Sequence, residues 1–170
     1  WVYQEILWKH RPDVIIEAAK YAGGSALFLA SICDLVGNGR DHSIDIEDRP
    51  GKPQHPRIEY FIGSSVADEV VGDVRSRCAA GDGVMVILDS DHTYTHVLDE
   101  LRVYGDIVTP GQYLIAEDTN IGHPIAKHFG WGPYEAVQQF LAKRSDFIVD
   151  EGMEKFFLTF NPSGYLKKIR

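Results

Sequence analysis

The sequence contains few cysteines and no long apolar run, and each absence excludes a class of protein. Cys33 and Cys78 are its only two cysteines, too few for a disulfide framework, so we expect reduced thiols and a cytoplasmic location. The longest apolar stretches, such as residues 26–32 and 84–88, fall well short of the roughly 20 residues that span a bilayer. The sequence therefore predicts no membrane span and no membrane partner.

Basic residues are also scarce. Lysine and arginine number 17 against 25 acidic residues, for a formal net charge of -8, and the one basic cluster lies at residues 167–170. Because binding to phosphates requires a basic face, we expect no nucleic-acid partner.

Length and composition are those of one soluble globular domain spanning residues 1–170, since 44% of the residues are hydrophobic and 25% charged. The chain opens at Trp1 within a helical pattern, which indicates that an N-terminal part is missing. Aromatic residues such as Trp1 and Trp8 leave a homo-oligomer open.

Short β-rich runs alternate with helical ones, which is typical of an α/β fold with a mainly parallel sheet and helices on both faces. The last two strands are separated by a short segment around Gly152, and so short a connection requires an antiparallel hairpin. The prediction is a Rossmann-like, seven-stranded sheet. The predicted strands are 13–18, 42–47, 57–62, 84–88, 113–116, 147–150 and 156–160, and the helices are 24–36, 66–78, 93–108 and 134–143.

The first strand ends in a glycine-containing loop. Gly23 and Gly24 allow close approach of a ligand, and the amides of the helix that begins near Ser25 favour an anion such as a carboxylate. Glu17, at the strand end, can accept a hydrogen bond from an ammonium group. These features suit the amino-acid end of S-adenosylmethionine, although a plain strand-to-helix turn is the alternative.

Further cofactor contacts are expected after the second and third strands. Asp45 is placed to hydrogen-bond a ribose, with Glu47 and Asp48 as alternatives. Ser64 and Ser65 border the expected adenine position, but either serine could instead cap the following helix.

Three carboxylates follow two apolar strands that one helix connects. Asp89 ends the fourth strand, and Glu117 and Asp118 end the fifth, so we expect them to converge at one edge of the sheet. Carboxylates so close repel unless a cation lies among them, and oxygen ligands suit Mg²⁺. The alternative is that these acids cap helices, and Asp91 could replace or assist Asp89.

His92 lies three residues after Asp89 and is the candidate general base for a substrate hydroxyl. A structural role is the alternative. His96 is expected to lie along the next helix. The loop at residues 120–133, which contains His123 and His128, is predicted to form a substrate lid or wall.

Seven segments, taken together and in this order, resemble the cephalosporin hydroxylase-like family, which includes rhamnosyl and macrolide-sugar O-methyltransferases. They are residues 3–5, 11–17, 23–27, 44–46, 88–92, 117–118 and 158–162. The resemblance implies a class I methyltransferase fold, S-adenosylmethionine and Mg²⁺ as cofactors, and methylation of a hydroxyl on a sugar or other natural product. It implies metal ligation by Asp89, Glu117 and Asp118 and a base at His92.

One position departs from the family pattern. Relatives usually have glycine two residues after the acid of the first loop, where this chain has Ala19. The added methyl would crowd the methionine moiety or shift the loop, so a catalytically silent cofactor-binding homologue is one alternative. An antibiotic-pathway hydroxylase is the other, but the two histidines and one carboxylate typical of a redox iron site are not evident.

Overall fold

A computed structural model of the chain describes residues 1–19, 21–121, 127–156 and 158–170. Within them, seven strands form one sheet in the order β3-β2-β1-β4-β5-β7-β6. Strands β1 to β5 are parallel, and β7 runs antiparallel to both β5 and β6. The strands are β1 Val14–Ala19, β2 Arg40–Asp45, β3 Ile58–Ile62, β4 Val84–Asp89, β5 Tyr113–Ala116, β6 Phe147–Val149 and β7 Tyr165–Lys168.

Helices cover both faces of the sheet, because the buried strands are apolar on both sides. In β4, Val86 and Leu88 pack in a core with the helices at residues 68–76, 94–105 and 133–141, whereas Met85 and Ile87 pack in a second core with the helices at residues 2–10 and 24–36. This arrangement confirms the predicted α/β class. None of the helices in the described ranges is long and apolar enough to cross a bilayer. The helices are α1 Val2–His10, α2 Gly24–Val36, α3 Asp68–Ser76, α4 Tyr94–Gly105 and α5 Pro133–Leu141.

The strand order reverses at β1, which lies between β2 and β4. Ala19 is in register with Asp89 across β1 and β4, and Leu88 is in register with Ala116 across β4 and β5. The carboxyl ends of these three strands therefore meet at one edge of the sheet, at the crevice where open α/β sheets bind ligands.

The predicted seventh strand at residues 156–160 is wrong. Phe156 has a left-handed φ of 63°, and Phe156, Leu158 and Phe160 are 69%, 75% and 63% exposed, so these alternating side chains do not form the buried face of a strand. The strand is instead Tyr165–Lys168, which buries Leu166 against β5. The last two strands pair antiparallel as predicted, but their connection is long and includes a 3-10 turn at Glu151–Met153.

Candidate cofactor and metal site

Two adjoining cavities open at the carboxyl ends of β1 and β4. We call the first, of about 350 Å³, the acidic cavity, and the second, of about 160 Å³, the serine cavity. Ala19 and Ser90 line both, so the cavities form one cleft. The acidic cavity is also lined by Tyr21, Gly23, Ser25, Asp89, His92 and Asp118. The serine cavity is also lined by Ile44, Ile46, Gly63, Ser64, Ser65, Asp91 and His96.

The first loop requires glycine at one of its two predicted positions. Gly23 has a φ of 77°, and a Cβ there would lie 2.7 Å from the Tyr60 hydroxyl, whereas a Cβ on Gly24 would meet nothing within 4 Å. Gly23 is the N-cap of α2, and Gly23 and Ser25 line the acidic cavity, so the first helical turn with its free amides adjoins the cleft. The loop therefore provides backbone donors beside the acidic cavity.

Glu17 lies beneath this loop and is only 2% exposed. Burial, with Asp89 nearby, raises the pKa of its carboxyl to about 7, although hydrogen bonds from Ser25 and Ser43 oppose the shift. A donor group of a ligand would favour the charged form of this acid.

Asp45 ends β2 with one of its carboxylate oxygens unsatisfied. Its Oδ1 accepts a hydrogen bond from the Glu47 amide at 3.1 Å. Its Oδ2 is buried without a hydrogen-bond partner in the described part of the chain, although Lys52 Nζ forms an ion pair at 3.4 Å. This oxygen is paired with an ammonium group but lacks a hydrogen bond, so it can still accept one from a ligand hydroxyl.

The two serines after β3 do not cap α3. The residue at the N-cap is Ala67, and no side chain caps this helix. Ser64 Oγ accepts a hydrogen bond from the Val66 amide at 3.4 Å, and Ser65 Oγ donates to Glu100. Both serines line the serine cavity.

Asp89, His92 and Asp118 converge in the acidic cavity, with one potential ligand atom from each lying within 4.8 Å of the others. His92 Nε2 is 2.8 Å from Asp118 Oδ2 and 3.8 Å from Asp89 Oδ1. Asp118 has a left-handed φ of 52°, and its amide donates to Asn161 Oδ1. The structure thus brings together two of the three predicted metal ligands and the predicted base.

Glu117, the third predicted ligand, lies next to Asp118 but outside that group. Its amide donates to Leu88 O at 2.9 Å, which fixes it beside the end of β4. Burial raises the pKa of its carboxyl to about 7, opposed by a side-chain hydrogen bond with Asn161 and assisted by Asp118. Burial likewise raises the pKa of Asp89, with His92 opposing the shift and Asp118 adding to it.

The chemistry of this acidic group fits a divalent cation. Three carboxyl groups lie at the ends of two paired strands, and the pKa values of Asp89 and Glu117 are raised by burial and, to a smaller extent, by Asp118. A cation among them would favour their charged forms, and their oxygens are the ligands preferred by Mg²⁺.

Asp91 occupies a different place. Its Oδ1 accepts a hydrogen bond from the Thr93 amide at 2.8 Å, before α4, and it lines the serine cavity, not the acidic one. The proposed loop histidines contribute less: His128 is exposed beside Phe129, and His123 lies outside the described residues.

One residue that lines the serine cavity and one buried behind it were not expected at the site. The imidazole of His96 lines the cavity, and Nε2 contacts Ser65 and Ser90. Glu100, one turn later in α4, is fully buried and accepts hydrogen bonds from both serines. A sequence signal did exist, because Glu100 falls on the apolar stripe of the helix, where an unpaired acid would be costly.

Comparison with known proteins identifies the family. A family model described as Rhamnosyl O-methyltransferase/CmcI matches residues 1–169. A rhamnosyl O-methyltransferase of Mycobacterium leprae (strain TN) is 36% identical over 173 residues, which cover 98% of this chain and 76% of that protein.

Solved structures share the fold at low identity. A CmcI structure described as the Mg-SAM form has a TM-score of 0.74 at 18% identity, over 99% of this chain and 70% of that one. MycE from the mycinamycin biosynthetic pathway, in complex with Mg, SAH and mycinamycin VI, has a TM-score of 0.67 at 18% identity, over 99% of this chain and 48% of that one. These likenesses and the family match confirm the resemblance inferred from the sequence. The chain belongs to the rhamnosyl O-methyltransferase/CmcI family and has its Rossmann-like methyltransferase fold.

Proposed function

We propose that this chain is an S-adenosylmethionine- and Mg²⁺-dependent O-methyltransferase that acts on a hydroxyl of a sugar or of a sugar-bearing natural product. The observation that carries the proposal is the group formed by Asp89, His92 and Asp118 beside the glycine loop at the end of β1. The names of its relatives, and the Mg and SAM or SAH present in related structures, support the same activity.

The cofactor would occupy both cavities of the cleft. Its amino-acid end would meet the amides of Gly23, Gly24 and Ser25, with Glu17 accepting from the ammonium group and Ala19 bordering the methionine. Its nucleoside would extend into the serine cavity, between Asp45, whose Oδ2 would accept a hydrogen bond from a ribose hydroxyl, and the backbone and side chains of Ser64 and Ser65.

The metal would be held by Asp89, Glu117 and Asp118. When bound there, Mg²⁺ would supply Lewis-acid polarisation of the acceptor oxygens and lower the pKa of the reacting hydroxyl. The three side chains supply oxygen ligands only, and the half-exposed position of Asp89 and Asp118 leaves room for water and acceptor oxygens.

His92 would remove the proton. As the hydroxyl oxygen bonds to the methyl carbon, the bond from that carbon to sulfur breaks, its electron pair stays on sulfur, and the hydroxyl proton passes to the ring nitrogen of His92 that carries none. Asp89 and Asp118 lie 3.8 Å and 2.8 Å from Nε2 and would stabilise the imidazolium. Much of the acceleration would come from positioning the oxygen and the methyl group in line.

The substitution Asp89→Asn tests this function. We expect kcat/KM for methyl transfer to a rhamnoside acceptor to fall by at least about 10³-fold, because the variant loses a metal ligand and a partner of the base. The thermal midpoint should change little, because Asp89 is partly exposed and its removal relieves repulsion from Asp118. The matched control is Asp73→Asn, which changes an exposed acid on α3.

Activity of Asp89→Asn close to that of the unmodified chain would refute the metal assignment. Assays without oxygen serve as a second check, because methyl transfer needs none, whereas a hydroxylase would stop.

A further inference from the structure

Glu100 is a fully buried acid on α4 that accepts several hydrogen bonds at a single oxygen. Its Oε1 lies 2.5 Å from Ser65 Oγ, 2.6 Å from Ser90 Oγ and 3.2 Å from His96 Nε2. A charged group at 0% exposure is costly unless it is well hydrogen-bonded, and an apolar residue would be the default on this face of the helix. Packing alone therefore does not explain an acid at this position.

The partners of Glu100 come from the loops that form the serine cavity. Ser65 follows β3, Ser90 follows β4, and His96 lies in the first turns of α4; all three line the cavity. The hydroxyl of Tyr104 donates to Ser65 O at 2.7 Å and ties the same loop to the same helix. One carboxylate thus joins the ends of two strands that are not neighbours in the sheet.

The second carboxylate oxygen of Glu100 makes this arrangement energetically unfavourable. Oε2 is buried without a hydrogen-bond partner among the residues that the structure describes. Unsatisfied buried oxygens are rare in native proteins and often mark functional constraints. Burial alone would favour an amide or an apolar side chain here, whereas the carboxylate makes charge-assisted bonds to both loops.

From these contacts we infer that Glu100 is a positioning residue for the nucleoside half of the cofactor site. It holds Ser65 and Ser90 at the distance that the serine cavity requires, and it orients His96 along the cavity wall. This inference rests on the proposed function, because it takes the occupant of the serine cavity to be the nucleoside of S-adenosylmethionine. Ser90 also follows Asp89 directly, so the same bonds steady the chain beside the metal group.

The test is the isosteric substitution Glu100→Gln, which keeps the shape of the side chain but removes its charge. Asp99→Asn, an exposed neighbour on the same helix, is the matched control. Binding of S-adenosylhomocysteine is measured by calorimetry in the presence of Mg²⁺, together with KM for S-adenosylmethionine, kcat and the thermal midpoint. We expect Kd and KM to rise about 10-fold with kcat within about threefold, while Asp99→Asn changes neither.

A merely structural role would lower the thermal midpoint and leave Kd and KM within about twofold of the original values; that result overturns the inference. If Glu100→Gln does not fold, Ser90→Ala and Ser65→Ala replace it, and each should raise Kd about threefold. Unchanged Kd in both would also overturn the inference. Failure of the unmodified chain to bind S-adenosylhomocysteine overturns the proposed function and the inference together, whereas unchanged binding in the variants alone leaves the proposed function standing.

Discussion

At the ends of β4 and β5, the side chains of Asp89 and Asp118 are 47% and 36% exposed and share His92 as a neighbour. On the neighbouring strands β2 and β1, on the α2 side of the sheet, Asp41 and Glu17 are 0% and 2% exposed. Burial, with Glu17 nearby, raises the pKa of Asp41 well above its ordinary value, and neither of its oxygens has a hydrogen-bond partner among the described residues. The two acid pairs therefore differ in access to solvent and in compensation of charge.

The two pairs relieve the repulsion between neighbouring acids in different ways. Asp89 and Asp118 can exchange the imidazole of His92 for a cation that arrives from solvent, as a metal site requires. Asp41 has no such access, so binding of a proton is the way to avoid a buried negative charge. A cluster of acids in a sheet thus indicates a metal only where the cluster reaches the ligand-bearing edge.

The largest effects are expected from variants that test which residues near the exposed pair bind the metal. Glu117→Gln should weaken Mn²⁺ binding by on the order of 100-fold, because it removes a predicted ligand. His92→Gln should leave Mn²⁺ binding within about threefold but lower kcat by roughly 10²- to 10⁴-fold, because it removes the base. Electron paramagnetic resonance measures the metal affinity, and a methyl-transfer assay measures kcat.

The opposite pattern would change the assignment. Loss of Mn²⁺ binding in His92→Gln with normal binding in Glu117→Gln would make Asp89, His92 and Asp118 the metal ligands, as their proximity alone would permit.

A smaller effect is expected at Ala19, where the family resemblance leads us to expect glycine and where both cavities meet. Removing the methyl group by Ala19→Gly should tighten S-adenosylhomocysteine binding by about threefold to tenfold, since more room becomes available beside Asp89. The same change should destabilise the fold by about 0.5–1 kcal/mol, because Ala19 ends a strand. Calorimetry and denaturant unfolding measure the two effects. Weaker binding would show that the methyl group contributes a contact.

The effect expected at the buried pair is one of stability alone. The folded-state pKa of Asp41 lies above its unfolded value of about 3.9, so the folded chain keeps a proton that the unfolded chain has released. The free energy of unfolding therefore falls as pH rises through this window. Asp41→Asn removes the penalty and should stabilise the fold by about 1–2 kcal/mol at pH 8, and by much less near pH 4.

Urea unfolding at the two pH values measures this difference, and Asp73→Asn, with an expected change below about 0.5 kcal/mol, is the control. Equal effects of Asp41→Asn at both pH values would show that Asp41 carries its charge in the fold.

Much of the fold could be predicted because local signals agreed with the tertiary structure. Helix α2 has the predicted bounds since Gly37 ends it in a left-handed conformation, and β5 is bounded by turn residues. The seventh strand was missed because Phe156, Leu158 and Phe160 alternate like one face of a strand, yet all three are exposed. Its true position depends on pairing with β5, a contact about 50 residues apart along the chain that no local pattern reveals.

The site was predictable to a similar degree. Residues at the ends of parallel strands could be placed at one edge from topology alone, and the structure brings Asp89, His92 and Asp118 together there. The role of each remains a prediction. The bonds from Glu100 to Ser65 and Ser90 could not be foreseen, because they join parts of the chain that only the packing of α4 brings into contact.

The central claim is that one cation binds between acids from β4 and β5 beside the cofactor. Crystals grown with S-adenosylhomocysteine and Mn²⁺, measured at the manganese absorption edge, test it directly. The account predicts an anomalous peak about 2.0–2.3 Å from oxygens of Asp89, Glu117 and Asp118, with the nucleoside in the serine cavity. Bound S-adenosylhomocysteine with no peak among these side chains would contradict it.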